Sequence, residues 1–325
     1  MTPSWPGPGR RVLVTGGAGF IGSHLSERLL SGGCRLAILD DLNDYYDPAL
    51  KRANLEAVRR RGEFEFVHGD ICDAPLVEGL MARLSPEAVI HLAARAGVRP
   101  SLEQPALYQR VNVEGTAVLL EAARRHGVQR FVFASSSSVY GAASRVPFSE
   151  DDPVRAPISP YAASKIAGEA LCHVYAHLYG MSIVCLRFFT VYGPRQRPDL
   201  AIRKFAESIA AGRPIPVFGD GSTGRDYTYI DDIVAGILAA LGHDARFDVF
   251  NLGNSSPVLL RDMIATLERV LGRKALIDRQ PLQPGDVPIT YADIGKARRV
   301  LGWAPQTPLE TGIRRMAEWL GLLRG

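Results

Sequence analysis

Apolar runs of strand length alternate with longer segments of helical periodicity through roughly the first 190 residues. The apolar runs predict strands over 11–15, 35–40, 64–70, 87–94, 130–135, 182–189 and 248–253. The first six show little polar alternation, which is typical of parallel strands covered by helices on both faces. The segments between them are long enough for right-handed βαβ crossovers. The pattern therefore predicts an α/β fold built on a doubly wound parallel sheet.

The rhythm changes after about residue 190, where proline and glycine become frequent and helices are predicted over 199–211, 231–241, 259–271 and 308–323. We expect a disordered tail over 1–10, a first domain over 11–189 and a smaller C-terminal α/β region over 190–325. The two parts are interleaved, because the strand near 248–253 is expected to return to the first sheet.

Composition narrows the function classes. The 325 residues carry a net charge of +4, with 46% hydrophobic and 22% charged positions, as in an ordinary globular protein. Basic clusters such as Arg59–Arg61 lack interleaved aromatics, so no nucleic-acid partner is expected. No segment has the apolar length of a membrane span, and the four cysteines show no CxxC spacing, which indicates reduced thiols. We therefore expect a cytoplasmic protein with no membrane partner.

A glycine-rich turn, VTGGAGFIGSH, joins the first predicted strand to the first predicted helix. Gly16, Gly19 and Gly22 permit a tight turn and let backbone N–H groups approach a pyrophosphate at a helix N-terminus. Asp40 ends the second predicted strand, where a carboxylate accepts hydrogen bonds from adenosine-ribose hydroxyls and repels a 2′-phosphate. No arginine immediately follows Asp40. The pattern predicts a Rossmann-type site that binds NAD rather than NADP.

Further cofactor contacts are expected where the other parallel strands end. Asp70 and Ile71 close the third predicted strand, and Ala93 and Ala94 follow the fourth. Because the carboxyl ends of parallel strands meet at one edge, these residues are expected to converge on the glycine turn. Ordinary loop packing is the alternative for each of them. The candidates within the glycine turn itself are Phe20 and Ile21.

The segment SPYAASKIAGEAL predicts a helix that begins at Ser159 and Pro160 and carries Tyr161 and Lys165 four residues apart on one face. A neighbouring ammonium stabilises a phenolate, which suits a tyrosine that acts as a base near neutral pH. The serine run FASSSSVYG follows the fifth predicted strand at the same sheet edge, where a hydroxyl can relay a substrate proton. Taken alone, the tyrosine–lysine spacing also fits an ordinary amphipathic helix, and the serine run also fits a turn.

Together these motifs resemble the extended short-chain dehydrogenase/reductases, specifically their nucleotide-sugar epimerase branch, from Val12 to Trp319. The resemblance implies that Tyr161 is the base and that Lys165 is its ribose-binding helper. It also implies that Ser136 is the catalytic hydroxyl and that Asn112, in RVNVEGT, is a structural, cofactor-side residue. The implied reaction is a transient oxidation at C4 of a sugar by tightly held NAD, followed by return of the hydride to the other face.

Neighbouring branches differ at the serine run. Sugar 4,6-dehydratases carry an Asp-Glu pair where Ser137 and Ser138 stand, and uronate decarboxylases usually carry an acidic residue in the same run. Neither serine can act as that acid or base, so the resemblance favours epimerisation, and both serines become substrate-binding candidates. A 4-epimerase of UDP-glucose or UDP-N-acetylglucosamine and a uronate decarboxylase are the alternatives.

The segment IPVFGDGSTGRDYTYIDD resembles the uridine-nucleotide site of this branch. The resemblance places Phe218 on the uracil ring, Arg225 on the diphosphate and Asp286 near the uridine ribose. Gln283 stands where general 4-epimerases often have an arginine, so one phosphate contact departs from the pattern. Core packing of Phe218 and a surface salt bridge between Arg225 and Asp226 are the alternatives.

The stretches DDLNDYYD, AGVRPS and RFFTVYGPRQRPD resemble the epimerases that interconvert UDP-glucuronate and UDP-galacturonate. The resemblance implies that Thr190 and Arg197 bind the C6 carboxylate, with Arg99 as a weaker candidate. Solvated loop charges are the alternative for Arg99, Arg195 and Arg197. The 4-keto uronate is a β-keto acid, and we hypothesise that holding its carboxylate bond near the plane of the ketone prevents loss of carbon dioxide.

The remaining sequence features give weaker indications of function. His173 and His177 are four residues apart on the helix after YxxxK, but no third ligand is visible, so no metal is expected. The resemblance makes this helix and the one near 103–125 candidates for the four-helix bundle of a homodimer. A non-enzymatic NAD-binding scaffold is a further alternative, since fold does not determine function.

Overall fold

A parallel seven-stranded sheet forms the centre of the computed structural model, which describes residues 5–142, 145–281 and 288–323. In chain order the strands are β1 (Arg11–Thr15), β2 (Arg35–Asp40), β3 (Glu65–His68), β4 (Ala88–His91), β5 (Arg130–Ser136), β6 (Ser182–Phe188), β7 (Thr190–Tyr192), β8 (Ile215–Phe218), β9 (Gly224–Tyr229), β10 (Phe247–Leu252), β11 (Pro257–Leu259), β12 (Ile277–Gln280) and β13 (Ile289–Thr290). The central sheet has the order β10-β6-β5-β4-β1-β2-β3, with every neighbouring pair parallel. The predicted α/β fold is confirmed.

The α-helices surround this sheet. In chain order they are α1 (Phe20–Ser31), α2 (Pro48–Arg59), α3 (Ala74–Leu84), α4 (Val98–Glu103), α5 (Pro105–Gln109), α6 (Gly115–Arg125), α7 (Pro160–Tyr179), α8 (Ala201–Ala210), α9 (Ile230–Gly242), α10 (Leu260–Leu271), α11 (Gly295–Leu301) and α12 (Leu309–Trp319). Among the described residues, no helix combines the length and apolar content needed to cross a membrane.

Helix α7, which carries YxxxK, begins and ends at residues suited to those positions. The Ser159 hydroxyl accepts a hydrogen bond from the Ala162 N–H, and Pro160 occupies the first turn. The helix ends at Gly180, whose φ of 69° is a left-handed conformation that glycine adopts without a Cβ penalty. These caps fix both the start of α7 and the positions of its catalytic candidates.

One predicted helix differs from the observed structure. The segment near 103–125 is interrupted, because α5 passes into a π-helical turn, Arg110–Glu114, before α6 begins. The Asn112 side chain in this turn is buried and contacts the backbone of Arg95, after β4. Such turns occur frequently at functional sites.

The central sheet is covered on both faces, as its apolar strands require. In β1, Val12 and Val14 belong to a core shared with α1, α2 and α9, whereas Leu13 belongs to a second core shared with α3, α6 and α7. Complete burial of such a side chain stabilises a fold by about 1.5–3 kcal/mol. The two helical layers are therefore held by successive residues of the same strands.

The C-terminal region adds smaller sheets and returns one strand to the central sheet. β9 pairs with β7, β11 and β13, β8 pairs with β12, and β10 lies beside β6. The Asp226 carboxylate accepts hydrogen bonds from the N–H groups of Asn254, Ser255 and Ala292. Asp226 thus ties two loops to β9, instead of forming the surface salt bridge weighed as an alternative.

Residues 5–10, expected to be part of a disordered tail, instead contact the rest of the fold. The Arg10 guanidinium lies 4.7 Å from the Trp5 ring centroid and pairs with Glu87 at 2.6 Å. The Gly9 N–H donates to the Gly33 carbonyl at 2.9 Å. Aromatic and ionic contacts therefore order this proline-rich segment.

Candidate active site

A cavity of about 490 Å³ opens at the carboxyl ends of β1, β2, β4, β5 and β6. In the sheet, β1 lies between β2 and β4, so the strand order reverses its direction at this point. Ligands of open parallel sheets bind at such switch points, outside the carboxyl ends of the strands. The volume is that of a typical small-molecule site.

The glycine turn forms one wall of this cavity. Gly16 has a φ of +73°, and a Cβ there would lie 2.6 Å from the Ala93 nitrogen. A Cβ at Gly22 would lie 2.2 Å from the Gly16 carbonyl oxygen. The turn therefore requires glycine at both positions, and α1 begins directly behind it at Phe20. This backbone fits a pyrophosphate at a helix N-terminus.

Asp40 lies at the end of β2, only 7% exposed, and lines the cavity. Its carboxylate accepts hydrogen bonds from the N–H groups of Ala18 and Leu42, both at 3.0 Å. Burial raises the pKa of Asp40, and these hydrogen bonds oppose the rise. The same carboxylate therefore holds the glycine turn and faces the cavity.

The structure brings most predicted cofactor residues together. Those that line the cavity are Gly16, Gly19, Phe20, Ile21, Gly22, Asp40, Asp70, Ile71, Ala93, Ala94 and Lys165. Asn112 is not among the lining residues. Its side chain accepts a hydrogen bond from the Arg95 N–H at 2.8 Å and donates to the Arg95 carbonyl at 3.0 Å and the Ser164 hydroxyl at 3.0 Å. Asn112 therefore positions the chain after β4, because its amide is already satisfied there.

His91 supports the same edge from inside the sheet. Its Nδ1 lies 2.7 Å from the Thr15 hydroxyl, and its Nε2 lies 3.0 Å from the Thr116 hydroxyl. Burial lowers the pKa of His91 to about 3, so the ring is neutral. Sequence reasoning missed this residue, since a histidine at the end of an apolar strand carries no distinguishing pattern.

Tyr161, Lys165 and Ser136 all line the cavity, where α7 passes the end of β5. The Lys165 ammonium donates to the Ala134 carbonyl at 2.6 Å and lies 6.0 Å from the Tyr161 ring centroid. Burial lowers the pKa of Lys165 to about 8. The Ser136 hydroxyl oxygen accepts from the Ser138 N–H at 3.2 Å. The three predicted catalytic side chains therefore share one site.

The pKa of the Tyr161 phenol differs from the value range that the sequence led us to expect. Burial raises the pKa of Tyr161, while a hydrogen bond with Ser136 and the charge of Arg197 oppose the rise. Lys165 was expected to lower this pKa, but its ammonium is directed at the Ala134 carbonyl. In the protein by itself, Tyr161 is therefore a neutral phenol that shares the cavity with its predicted proton relay, Ser136.

A buried polar network lies behind these catalytic candidates. The Ser135 hydroxyl donates to Glu169 Oε1 at 2.5 Å, and Arg187 donates to the two Glu169 oxygens at 2.9 and 2.8 Å. Arg187 also donates to the Tyr140 hydroxyl at 3.0 Å, which donates to Asn251 Oδ1 at 2.7 Å. The network joins α7, β5, β6 and β10. Sequence reasoning missed it, although the acidic residue four positions after the YxxxK lysine was an available signal.

Thr190 and Arg197 line the same cavity, on the segment that follows β6. Arg197 donates to both oxygens of Asp199, through Nε at 2.9 Å and Nη2 at 2.8 Å. Its guanidinium lies 5.3 Å from the Tyr45 ring centroid. The structure therefore brings the predicted carboxylate-binding pair together, and adds an acidic partner and an aromatic support that sequence reasoning missed.

The other predicted substrate residues occupy different places. Ser137 and Ser138 line the cavity beside the catalytic candidates. Arg99 and Phe218 do not line it, and they contact each other, with the guanidinium 5.6 Å from the ring centroid. The structure therefore places these two candidates together, outside the residues that line the cavity.

Arg225 and Asp286 were the remaining uridine-nucleotide candidates. Arg225 Nη1 donates to the Gly224 carbonyl of its own strand at 2.8 Å and lies 3.5 Å from the Pro288 carbonyl oxygen. It is not among the residues that line the cavity. Asp286, with Gln283, lies outside the described residues.

The turn between β7 and α8 is attached to α1. Arg195 pairs with Glu27 at 2.6 Å, and His24 Nε2 lies 3.0 Å from the Pro194 carbonyl oxygen. Burial lowers the pKa of His24 to about 4, and the Arg195 charge adds to this effect, so the ring is neutral. Arg195 is therefore a structural cation rather than a solvated loop charge.

His173 and His177 lie together on α7. Their rings stack with centroids 6.2 Å apart, and His173 contacts Phe247 edge-on at 5.0 Å. Across the ranges that the structure describes, no group of three or more metal-ligating side chains is present. Aromatic packing accounts for this histidine pair.

Comparison with known proteins shows the family of this chain. The family described as GDP-mannose 4,6 dehydratase matches residues 13–316. The chain belongs to that family. The chain is similar to UDP-glucuronate 4-epimerase 3 of Arabidopsis thaliana. The two are 46% identical over 336 residues, which cover 98% of this chain and 78% of the plant protein. The resemblance to the nucleotide-sugar epimerase branch is confirmed.

Two solved structures share the fold of this family member. UDP-glucuronic acid 4-epimerase from Bacillus cereus, in complex with UDP-glucuronic acid and NAD, is 37% identical with a TM-score of 0.89, covering 95% of this chain and 98% of that one. UDP-glucose 4-epimerase from Thermotoga maritima, with UDP-glucose, is 34% identical with a TM-score of 0.88 and the same coverages, 95% and 98%. Because the two TM-scores are nearly equal, the fold alone does not separate the two sugars.

Proposed function

We propose that this protein is an NAD-dependent 4-epimerase that interconverts UDP-glucuronate and UDP-galacturonate through a transient 4-keto sugar. The observation that carries the proposal is a single cavity lined by a nucleotide-type glycine turn, by Ser136, Tyr161 and Lys165, and by Thr190 and Arg197. Similarity to plant and bacterial enzymes of that name supports it.

The cofactor is assigned to residues 11–189 together with β10, and the UDP-sugar to residues 190–325. Asp40 binds the adenosine ribose, and Lys165 binds the nicotinamide ribose. NAD, when bound, accepts a hydride from C4 of the sugar and returns it to the opposite face. The tight glycine turn and the buried Asp40 carboxylate support this placement.

The proton of the C4 hydroxyl is assigned to Tyr161, directly or through the Ser136 hydroxyl. The phenol must lose its proton to act as a base, and burial opposes that loss. The Arg197 charge favours the phenolate, whereas the Lys165 ammonium, whose pKa burial lowers to about 8, donates to the Ala134 carbonyl. Return of the proton to the sugar oxygen completes the reaction with Tyr161 unchanged.

The uronate carboxylate is assigned to Thr190 and Arg197. Asp199 and the Tyr45 ring hold the Arg197 guanidinium in one orientation, so a carboxylate that pairs with it would be held in one orientation as well. A fixed carboxylate bond near the plane of the 4-ketone cannot align for loss of carbon dioxide. This restraint protects the intermediate from becoming a pentose.

The homodimer is proposed to form through α7 and the helices near residues 98–125. Leu102, Val174 and Leu178 on these helices are 60%, 43% and 62% exposed, which is typical of an apolar surface that another chain covers. Leu178→Glu is expected to lower the mass measured by light scattering to that of a single chain. The cytoplasm is the proposed compartment, in keeping with four free thiols.

Product analysis tests the proposed reaction. The purified protein is incubated separately with UDP-glucuronate, UDP-glucose and UDP-N-acetylglucosamine, and the products are separated by chromatography and identified by NMR. We expect UDP-galacturonate from UDP-glucuronate and little turnover of the neutral sugars. Exclusive conversion of the neutral sugars would contradict the uronate assignment, a UDP-pentose as main product would indicate a decarboxylase, and bound NAD without turnover would indicate a scaffold.

A further inference from the structure

Arg95 is a cation of the cavity that neither the catalytic group nor the carboxylate pair uses. Its side chain lines the cavity, and its Nε is buried without a hydrogen-bond partner among the described residues. The neighbouring cations Arg195 and Arg197 differ, since they pair with Glu27 and Asp199. A buried donor without an acceptor is unfavourable, so this cavity is suited to a ligand that supplies an anionic oxygen.

The backbone of Arg95 is held in place from the far side. Asn112 accepts from its N–H and donates to its carbonyl, and the π-helical turn that carries Asn112 also contacts Ser164 of α7. Two hydrogen bonds from one buried amide restrict the rotation of this backbone. The Arg95 side chain therefore extends from a backbone that is held in place at the cavity wall.

The chain that carries Arg95 reaches the loop after β2, because a Cβ at Gly97, two residues after Arg95, would lie 2.9 Å from the Tyr45 hydroxyl oxygen. Burial lowers the pKa of Lys51, and the Arg95 charge adds to this effect. Burial raises the pKa of Tyr45, and the charges of Arg197 and Arg95 oppose that rise. Lys51 belongs to α2 and Tyr45 to the loop before it, and both follow β2. The chain that follows β4 therefore lies against the elements that follow β2, and the Arg95 charge acts on both of them.

The order of the strands shows where Arg95 lies in the cavity. β1 lies between β4 and β2, and the glycine turn follows β1. The chain from Ala93 to Gly97 runs from the glycine turn to the loop after β2, so Arg95 lies beside the carboxyl end of β1. Ala93, two residues before Arg95, confirms the proximity, because its nitrogen would lie 2.6 Å from a Cβ at Gly16.

We propose that Arg95 binds the pyrophosphate of the dinucleotide beside the glycine turn. A guanidinium donates two parallel hydrogen bonds to phosphate oxygens, which a short or neutral side chain cannot do. The cofactor must stay bound between removal and return of the hydride, and Arg95 contributes to that retention. This inference rests on the proposed use of NAD, but it concerns binding and not the identity of the sugar.

The test measures cofactor retention without substrate. Arg95→Met keeps an unbranched side chain and removes the charge, Arg95→Lys keeps the charge, and Arg52→Met removes an exposed charge one position after Lys51. NAD is quantified by absorbance and chromatography after gel filtration, and its release is followed over time at low and high salt. We expect Arg95→Met to release NAD on the order of ten- to a hundredfold faster, Arg95→Lys to be intermediate and Arg52→Met to match the parent.

Salt dependence provides a second readout. Salt screens an ionic contact between Arg95 and phosphate, whereas an uncharged methionine makes no such contact. The parent should lose NAD faster at high salt, and Arg95→Met should show a weaker salt dependence. Unchanged retention in Arg95→Met with a raised KM for UDP-glucuronate would overturn the proposal and assign Arg95 to the sugar nucleotide. Selective loss of NADP binding would overturn it too, since Arg95 would then contact a 2′-phosphate. Product identity in the parent is measured separately, so failure of the epimerase assignment is distinguishable.

Discussion

The two halves of the cavity are built by different means. In the cofactor half, Gly16 and Gly22 leave no room for a Cβ, and backbone N–H groups bind the Asp40 carboxylate. In the substrate half, side chains hold one another, as Arg197 is held by Asp199. Backbone geometry follows from a short stretch of sequence, whereas a side-chain pair can be replaced one residue at a time. The cofactor is therefore specified more rigidly than the sugar.

The largest effect is expected at Tyr161, where the two halves meet. Tyr161→Phe removes the hydroxyl that exchanges the C4 proton and keeps the ring that packs edge-on against Tyr108 at 6.2 Å. We expect kcat to fall by roughly 10²–10⁴-fold, with NAD still bound. Steady-state kinetics and the absorbance ratio of the purified variant check this. Loss of NAD with it would show that Tyr161 serves the cofactor half more than proton transfer.

The next effect concerns the buried polar network behind the catalytic candidates, which joins α7, β5, β6 and β10. Glu169→Gln keeps the shape of the side chain but leaves the buried Arg187 cation without its counter-charge, and Arg187 is only 4% exposed. Breaking such a pair costs about 3–5 kcal/mol of unfolding free energy. Chemical denaturation measures it.

Glu56→Gln is the matched control, because it removes an exposed helix pair with Arg59. We expect a loss of about 0.5 kcal/mol or less there. Equal losses in the two variants would show that burial of the Glu169–Arg187 pair is irrelevant to stability.

Selectivity in the substrate half is tested at Arg197. Arg197→Ala should raise the KM for UDP-glucuronate by about ten- to a hundredfold, increase the yield of UDP-pentose, or both, because a charged hydrogen bond to the carboxylate is lost. Any residual turnover of UDP-glucose, which has no carboxylate, should not change. Normal epimerisation of UDP-glucuronate by the variant would refute the role of Arg197.

The smallest effect is a pH dependence at the contact between α1 and the substrate half. His24 has a pKa of about 4 in the folded state against 6.5 for an unperturbed histidine, so only the unfolded chain takes up the proton between these values. Stability from this group is present above pH 6.5 and is lost as the pH falls towards 4, by up to about 2 kcal/mol at pH 5.

His24→Gln should remove that part of the slope. Unfolding free energies at pH 7.5 and pH 5 compare the parent with the variant. His91, whose pKa is about 3, keeps a similar slope in both proteins. An unchanged slope in His24→Gln would show that the ring is not held neutral by its burial against Pro194.

Local sequence was sufficient for the strands, the glycine turn and the start of α7. It was not sufficient for Asn112, whose role depends on a π-helical turn within a predicted helix. It was also not sufficient for the Tyr140–Asn251 contact, which joins residues 111 positions apart. Hydrophobic periodicity shows which face of a helix or strand is buried. It does not show which pairs of polar side chains form contacts across the sheet.

The sequence by itself determined the parallel sheet, the glycine turn and the position of Tyr161 and Lys165 on one helix, because apolar runs, glycine spacing and helix spacing act over a few residues. Only the tertiary structure decided that Glu169 pairs with Arg187, that the Lys165 ammonium contacts the Ala134 carbonyl, and that Arg95 Nε has no hydrogen-bond partner among the described residues. These outcomes depend on sheet order and burial, which bring together groups from separate elements of the chain.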